Sequence, residues 1–129
     1  MAGRQDFADV VGVLEAYFEG LYRADSKKLA EVFHRDARYV NTTEGDYMNH
    51  SILEYLDIID RRTPPASSGE LHSDRMISIE FGGPRMAFAK VAMTMLGRDY
   101  LDFLTLILDD GQWWIISKVF SYIPKSQET

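Results

Sequence analysis

The chain has 129 residues, 46% of them hydrophobic, a net charge of −6 and no cysteine. Length and apolar content suit one domain over residues 1–129 with a single core, and the absence of Cys excludes disulfides and thiolate chemistry. The negative charge argues against nucleic-acid binding, which depends on neutralising phosphates, and no run reaches the ~20 apolar residues of a membrane span. The N-terminal residues lack the plan of a signal peptide, so a cytoplasmic protein that meets neither membrane nor nucleic acid is expected.

Asp6 reads as an N-cap, and Phe7, Val10, Val11, Leu14, Tyr17, Phe18 and Leu21 follow it at helical spacing. Gly12 and Gly20 interrupt this helix at a cost of about 1 kcal/mol each, which close packing against a sheet would explain. Asp25 or Ser26 caps a short second helix carrying Leu29, Val32 and Phe33 and ending near His34. Residues 36–43 alternate as a strand, Tyr39 and Asn41 on one face, Arg38 and Val40 on the other. Ser51 and Glu54 have capping-box spacing and open a third helix with Ile52, Tyr55, Leu56 and Ile59 on its apolar stripe. Residues 63–69, with two prolines and a glycine, form a connector.

From Glu70 onward the period changes from helical to alternating. A strand from Leu71 to Glu80 is followed by a turn at Gly82-Gly83-Pro84. The next strand runs from Met86 to Leu96, with Ala87, Ala89, Val91, Met93 and Met95 on one side and Phe88, Lys90 and Thr94 on the other. Asp110-Gly111 then marks a two-residue hairpin turn, because both residues tolerate positive φ. An unbroken hairpin puts Asp102, Leu104 and Leu106 on one face with Val119, Ser117, Ile115 and Trp113. Leu101, Phe103, Thr105 and Ile107 share the other face with Phe120, Lys118, Ile116 and Trp114. Neither face is plainly polar, so the sheet needs two covers. The helices supply one, and a second copy of the chain is the simplest other. Helices followed by hairpin-linked strands predict an α+β fold.

The stretch 17–25 (YFEGLYRAD), the segment Phe33-His34-Arg35-Asp36-Ala37 and the closing pattern from Asp102 to Phe120 resemble the nuclear transport factor two-like superfamily. Within it the chain is most similar to the small bacterial lumazine-binding family. The resemblance implies a cystatin-like cone: three N-terminal helices on a strongly curved mixed, largely antiparallel β-sheet. It also implies a homodimer through the outer sheet face, here Phe88, Lys90, Phe103 and Thr105 together with Trp114, Lys118 and Phe120. The superfamily includes SnoaL-type polyketide cyclases, dehydratases, epoxide hydrolases and ketosteroid isomerase. By comparison with the isomerase, Tyr17 and Asp102 stand where its oxyanion-binding groups stand. Asn41 stands at the place of its general base, and an amide takes up no proton at neutral pH.

Each candidate residue has two readings. Asp102 in apolar surroundings is a base or a neutral hydrogen-bond donor, or else a partner for Lys90 or Arg98. Tyr17 offers its hydroxyl to a ligand or fills the helix stripe. Asn41 orients a ligand or holds the Thr42–Asp46 turn. His72 at the mouth of the cone could supply the missing base, while His34 ends the second helix. Tyr39, Tyr55, Met93, Trp113 and Ser117 are expected to line a pocket. The histidines lack ligand spacing and no glycine-rich phosphate loop is present, so neither metal nor cofactor is expected. Three readings follow: a small-molecule binder with an apolar pocket; an isomerase, dehydratase, cyclase or hydrolase using Asp102 and Tyr17 on a small oxygenated substrate; and a dimerisation module.

Overall fold

The computed structural model describes residues 3–124. Helix α1 spans Arg4–Tyr22 and buries Val10, Leu14, Tyr17, Phe18 and Leu21, the expected stripe, while Phe7 at its start is exposed. Its N-cap is Gly3, not Asp6. The Asp6 carboxylate instead reaches back to accept the Gly3 N–H at 3.0 Å and also accepts the Trp113 indole N–H at 3.2 Å. A methyl group at Gly20 would stand 2.7 Å from Leu29 Cδ2, so the close approach is to the next helix and not to the sheet. Gly12 meets nothing within 4 Å and has no packing reason.

Helix α2 (Ser26–Ala30) is capped by Asp25, whose side chain accepts the Lys28 N–H. It ends four residues before His34, which lies instead on strand β1 (Phe33–Asn41). Strand β2 (Met48–Ser51) was not expected from the sequence; it is short and pairs antiparallel with β1 at the sheet edge. Helix α3 (Ile52–Arg61) carries the anticipated capping box between Ser51 and Glu54. The connector contains a 3₁₀ turn at Pro65–Ser68.

Strands β3 (Ser73–Phe81), β4 (Met86–Met95), β5 (Arg98–Asp109) and β6 (Gln112–Pro124) complete a six-stranded sheet in the order β2-β1-β6-β5-β4-β3. Among the described strands, β1 and β6 run parallel and every other pair is antiparallel. Asp110 and Gly111 have φ of 53° and 75°, the two positive values a tight primed turn requires. The helices cover the concave face, where Ala87, Ala89, Val91, Leu104, Leu106 and Ile115 form the core with α1 and α3. No helix among the described residues is long and apolar enough to cross a membrane.

The β5–β6 register departs from the unbroken hairpin. Leu106 faces Ile115, but Thr105 faces Ser117, so Ile116 is an extra residue. Such a bulge shifts the alternation by one and exchanges the faces beyond it. Ser117 and Val119 therefore go to the convex side beside Thr105 and Phe103. Lys118 and Phe120 turn inward, only 3% and 4% exposed. This corrects the expected outer face: neither Lys118 nor Phe120 belongs to it, and Ser117 leaves the set expected inside.

Candidate functional site

The bulge builds the polar centre of the concave face. Asp102 on β5 is fully buried. Its Oδ2 accepts a short hydrogen bond from the Tyr17 hydroxyl on α1. Lys118 Nζ on β6 lies 3.9 Å from the same oxygen and 3.3 Å from the Tyr55 hydroxyl on α3. The rings of Tyr17, Tyr39, Tyr55 and Phe120 surround the amine with centroids 4.9–5.3 Å away. The other carboxylate oxygen, Asp102 Oδ1, is buried and has no hydrogen-bond partner among the described residues. Thus α1, α3, β1, β5 and β6 each bring one or two side chains to a single point.

Electrostatics follow from that burial. Desolvation pushes the Asp102 carboxyl above its ordinary value, and the Lys118 charge and the Tyr17 hydrogen bond pull it part of the way back. The Tyr17 hydroxyl is pushed well up, first by burial and then by the Asp102 charge. Burial likewise raises Tyr55. Both phenols are therefore held protonated: Tyr17 donates to Asp102, and Tyr55 accepts from Lys118. A buried carboxylate with a free oxygen is an uncommon arrangement, because a buried acceptor without a partner costs about 1–3 kcal/mol.

Of the residues expected at the site, Asp102, Tyr17, Tyr39 and Tyr55 come together. Asn41 does not join them as a free group. Its carbonyl accepts the Thr43 N–H at 2.9 Å and its NH₂ donates to Asp46 at 3.1 Å, so it secures the turn after β1. The Tyr122 hydroxyl donates to the same Asp46 carboxylate. His72 stacks on Tyr22 at 4.4 Å and pairs with Asp74 at 2.6 Å, in the seam between α1 and β3. Trp113 is buried but bonded to Asp6, eleven residues or ~16 Å along α1 from Tyr17. Met93 is buried on the inner face opposite Tyr100. His34 accepts the Asp36 N–H at Nδ1 and holds Asp109 through Nε2 at 2.8 Å.

Asp102 pairs with neither Lys90 nor Arg98. Lys90 lies over the Phe103 ring on the convex face, and Arg98 lies over Tyr122. The residue that sequence reasoning missed is Lys118. One signal was available: on an unbroken strand the polar Ser117 would occupy a core position between Ile115 and Val119, facing Leu104.

Two open cavities lie elsewhere. One of about 410 Å³ lies among Phe33, His34, Leu53, Leu56, Asp109 and Trp114. Another of about 760 Å³ lies along the far ends of β3–β6, by Arg75, Thr94, Leu101 and Ser121. Around Lys118 the space is filled by aromatic rings, with Tyr39 stacked on Tyr55 at 4.2 Å and tilted against Phe120 at 5.0 Å.

Helices on one face of a curved six-stranded sheet, with a polar centre sunk in the concave side, define the nuclear transport factor two-like class. An NTF-2 like protein of unknown function from Silicibacter pomeroyi matches with a TM-score of 0.79 at 25% identity, covering 95% of this chain and 100% of that one. An NTF2-like protein of unknown function from Shewanella baltica matches with a TM-score of 0.82 at 24% identity, covering 97% and 99%. The family model described as "Putative lumazine-binding" matches residues 5–121, and the chain belongs to that family. The aldolase FrzH of a Cladobotryum species is 30% identical over 122 residues, 93% of this chain and 94% of its own.

Proposed function

We propose that this protein is an enzyme acting on a small, largely apolar carbonyl compound, making or breaking the carbon–carbon bond beside the carbonyl. The observation that carries this reading is Asp102: fully buried, anchored at Oδ2 by Tyr17, and free at Oδ1. A carboxylate raised by desolvation and held in one orientation is a suitable base for a proton on carbon or on a β-hydroxyl. It also replaces the base that Asn41 cannot be. Tyr55 is a hydroxyl donor for the oxygen on which negative charge develops, in a site dry enough for such bonds to count. The similarity to an aldolase along nearly its whole length supports the same chemistry.

The test is cleavage of a fluorogenic β-hydroxy ketone that releases a naphthaldehyde. The wild type is expected to turn it over, and Asp102→Asn, folded by circular dichroism, to lose about 10²–10⁴-fold in rate. Equal rates for the two would refute the reading. A second reading, a binder without chemistry, is favoured by the open cavity of about 410 Å³ beside Phe33, Leu56 and Trp114, where a flat heteroaromatic would stack on a ring. It expects ligand affinity without turnover. In either case the convex face, with Phe103 41% exposed and packed edge-on against Phe88, is proposed to meet a second copy of the chain.

A further inference from the structure

We propose that Lys118 is a nucleophilic amine that captures its substrate, a small aliphatic or aryl-aliphatic ketone or aldehyde, as an iminium ion. This rests on the carbonyl reading above and adds to it the covalent step. Three features point to it. First, Lys118 is 3% exposed, whereas Lys27 is exposed and Lys28 and Lys90 are half-buried. Second, apart from the four rings that surround it, its polar contacts are few for a buried cation. The carboxylate stands 3.9 Å away, beyond hydrogen-bond length, and among the described residues the amine makes one hydrogen bond, to Tyr55. Third, the groups that amine chemistry needs converge on it: a carboxyl, two phenols and an apolar wall. Desolvation in a hydrophobic pocket is a general way to activate such an amine.

The step balances without an oxidant or reductant. Once the two groups close from 3.9 Å to hydrogen-bond length, a proton passes from Nζ to the Asp102 carboxylate and leaves two neutral groups. The Nζ lone pair bonds to the carbonyl carbon, and the C=O π pair moves onto oxygen. Oxygen then takes the proton that nitrogen releases, relayed by the Tyr55 hydroxyl. Asp102 returns its proton to the new hydroxyl on the substrate carbon, the C–O bond breaks, water leaves, and the nitrogen lone pair closes the C=N bond. The products are the iminium ion, water and the Asp102 carboxylate. With a β-hydroxy ketone, the carboxylate then removes the hydroxyl proton, that oxygen closes a C=O bond, the carbon–carbon bond breaks with its electron pair flowing into the iminium to give an enamine, and the other fragment leaves as an aldehyde. Of the residues whose rings surround the amine, Tyr39 and Phe120 keep 5% and 4% exposure, and it is by displacing these rings that substrate would reach it.

The probe is acetylacetone, whose condensation with an amine loses water and gives a conjugated enaminone that needs no reduction. Wild-type full-length protein is incubated with the diketone, and adducts are located by peptide mass spectrometry. The expected result is one adduct per chain on the peptide carrying Lys118, formed at least about tenfold faster than on Lys27, Lys28 or Lys90, with a parallel rise in near-ultraviolet absorbance. Lys118→Arg is expected to lose the fast adduct. Because the readout is on wild-type protein, a variant that fails to fold leaves the test intact. Labelling confined to the other lysines, or equal rates at all of them, overturns the proposal. If Lys118 stays unlabelled while Asp102→Asn still abolishes β-hydroxy ketone cleavage, the covalent step is wrong and the carbonyl reading stands. If Lys118 is labelled while no β-hydroxy ketone is cleaved, amine capture stands without the carbon–carbon chemistry.

Discussion

Lys118 Nζ lies 3.9 Å from Asp102 Oδ2, although an unbroken β5–β6 hairpin would place the two residues on opposite faces. Their meeting depends on the one extra residue, Ile116. With it, Lys118 faces Leu104 and Phe120 faces Asp102, so the amine and the carboxylate become diagonal neighbours on the concave side. Without it, the core would hold Ser117 and Val119, and Asp102 would have no countercharge.

Removing that countercharge is expected to be costly in a pH-dependent way. Lys118→Met leaves a buried carboxylate unpaired, a loss of about 3–5 kcal/mol at neutral pH. Burial raises Asp102, so the fold favours its protonated form. That contribution is complete below the ordinary carboxylate value and is lost as pH rises through the raised one. Lys118 opposes the rise, so in Lys118→Met the Asp102 value moves further up. The gap to wild type in urea unfolding is expected to be small near about pH 4 and to widen toward about pH 7. A gap independent of pH would contradict the pairing.

The two glycines of α1 are expected to respond in opposite directions. Gly12 is exposed and meets nothing, so Gly12→Ala is expected to stabilise by about 0.5–1 kcal/mol through helix propensity. Gly20→Ala drives a methyl into the fully buried Leu29 and is expected to destabilise by about 1–3 kcal/mol, the usual cost of overpacking. Denaturant midpoints of the two variants read this directly, and a Gly20→Ala midpoint at or above wild type would contradict the α1–α2 contact.

On the convex face Phe103 packs edge-on to Phe88 at 5.5 Å, with Lys90 Nζ 5.5 Å over its ring, and stays 41% exposed. If two copies meet there, Phe103→Glu sets a charge in the middle of the contact. Light scattering is then expected to give twice the chain mass for wild type and the single mass for the variant. The same mass for both would remove this face from the interface.

Most of the architecture was legible because it follows local rules. The Ser51–Glu54 capping box, the Asp110-Gly111 turn and the stripe from Val10 to Leu21 are each written in a few adjacent residues. The edge strand β2 was not, because four residues of mixed polarity become a strand only by pairing with β1. Asp102 and Tyr17 stood out by type and place. Lys118 did not, since a bulge depends on how β6 fits between β5 and the parallel β1, and alternation alone put its side chain outside. Asn41 shows the converse: its position resembles a catalytic one, while its amide is consumed by Thr43 and Asp46.

The central claim is that Asp102 moves a proton next to a carbonyl, and hydrogen–deuterium exchange tests it most directly. Proton NMR of cyclohexanone in D₂O reports loss of its α-hydrogens in the presence of wild-type protein or of folded Asp102→Asn. The account predicts exchange catalysed by the wild type and slowed by about 10²-fold or more in the variant. Exchange by the wild type no faster than buffer, or undiminished in Asp102→Asn, would contradict it.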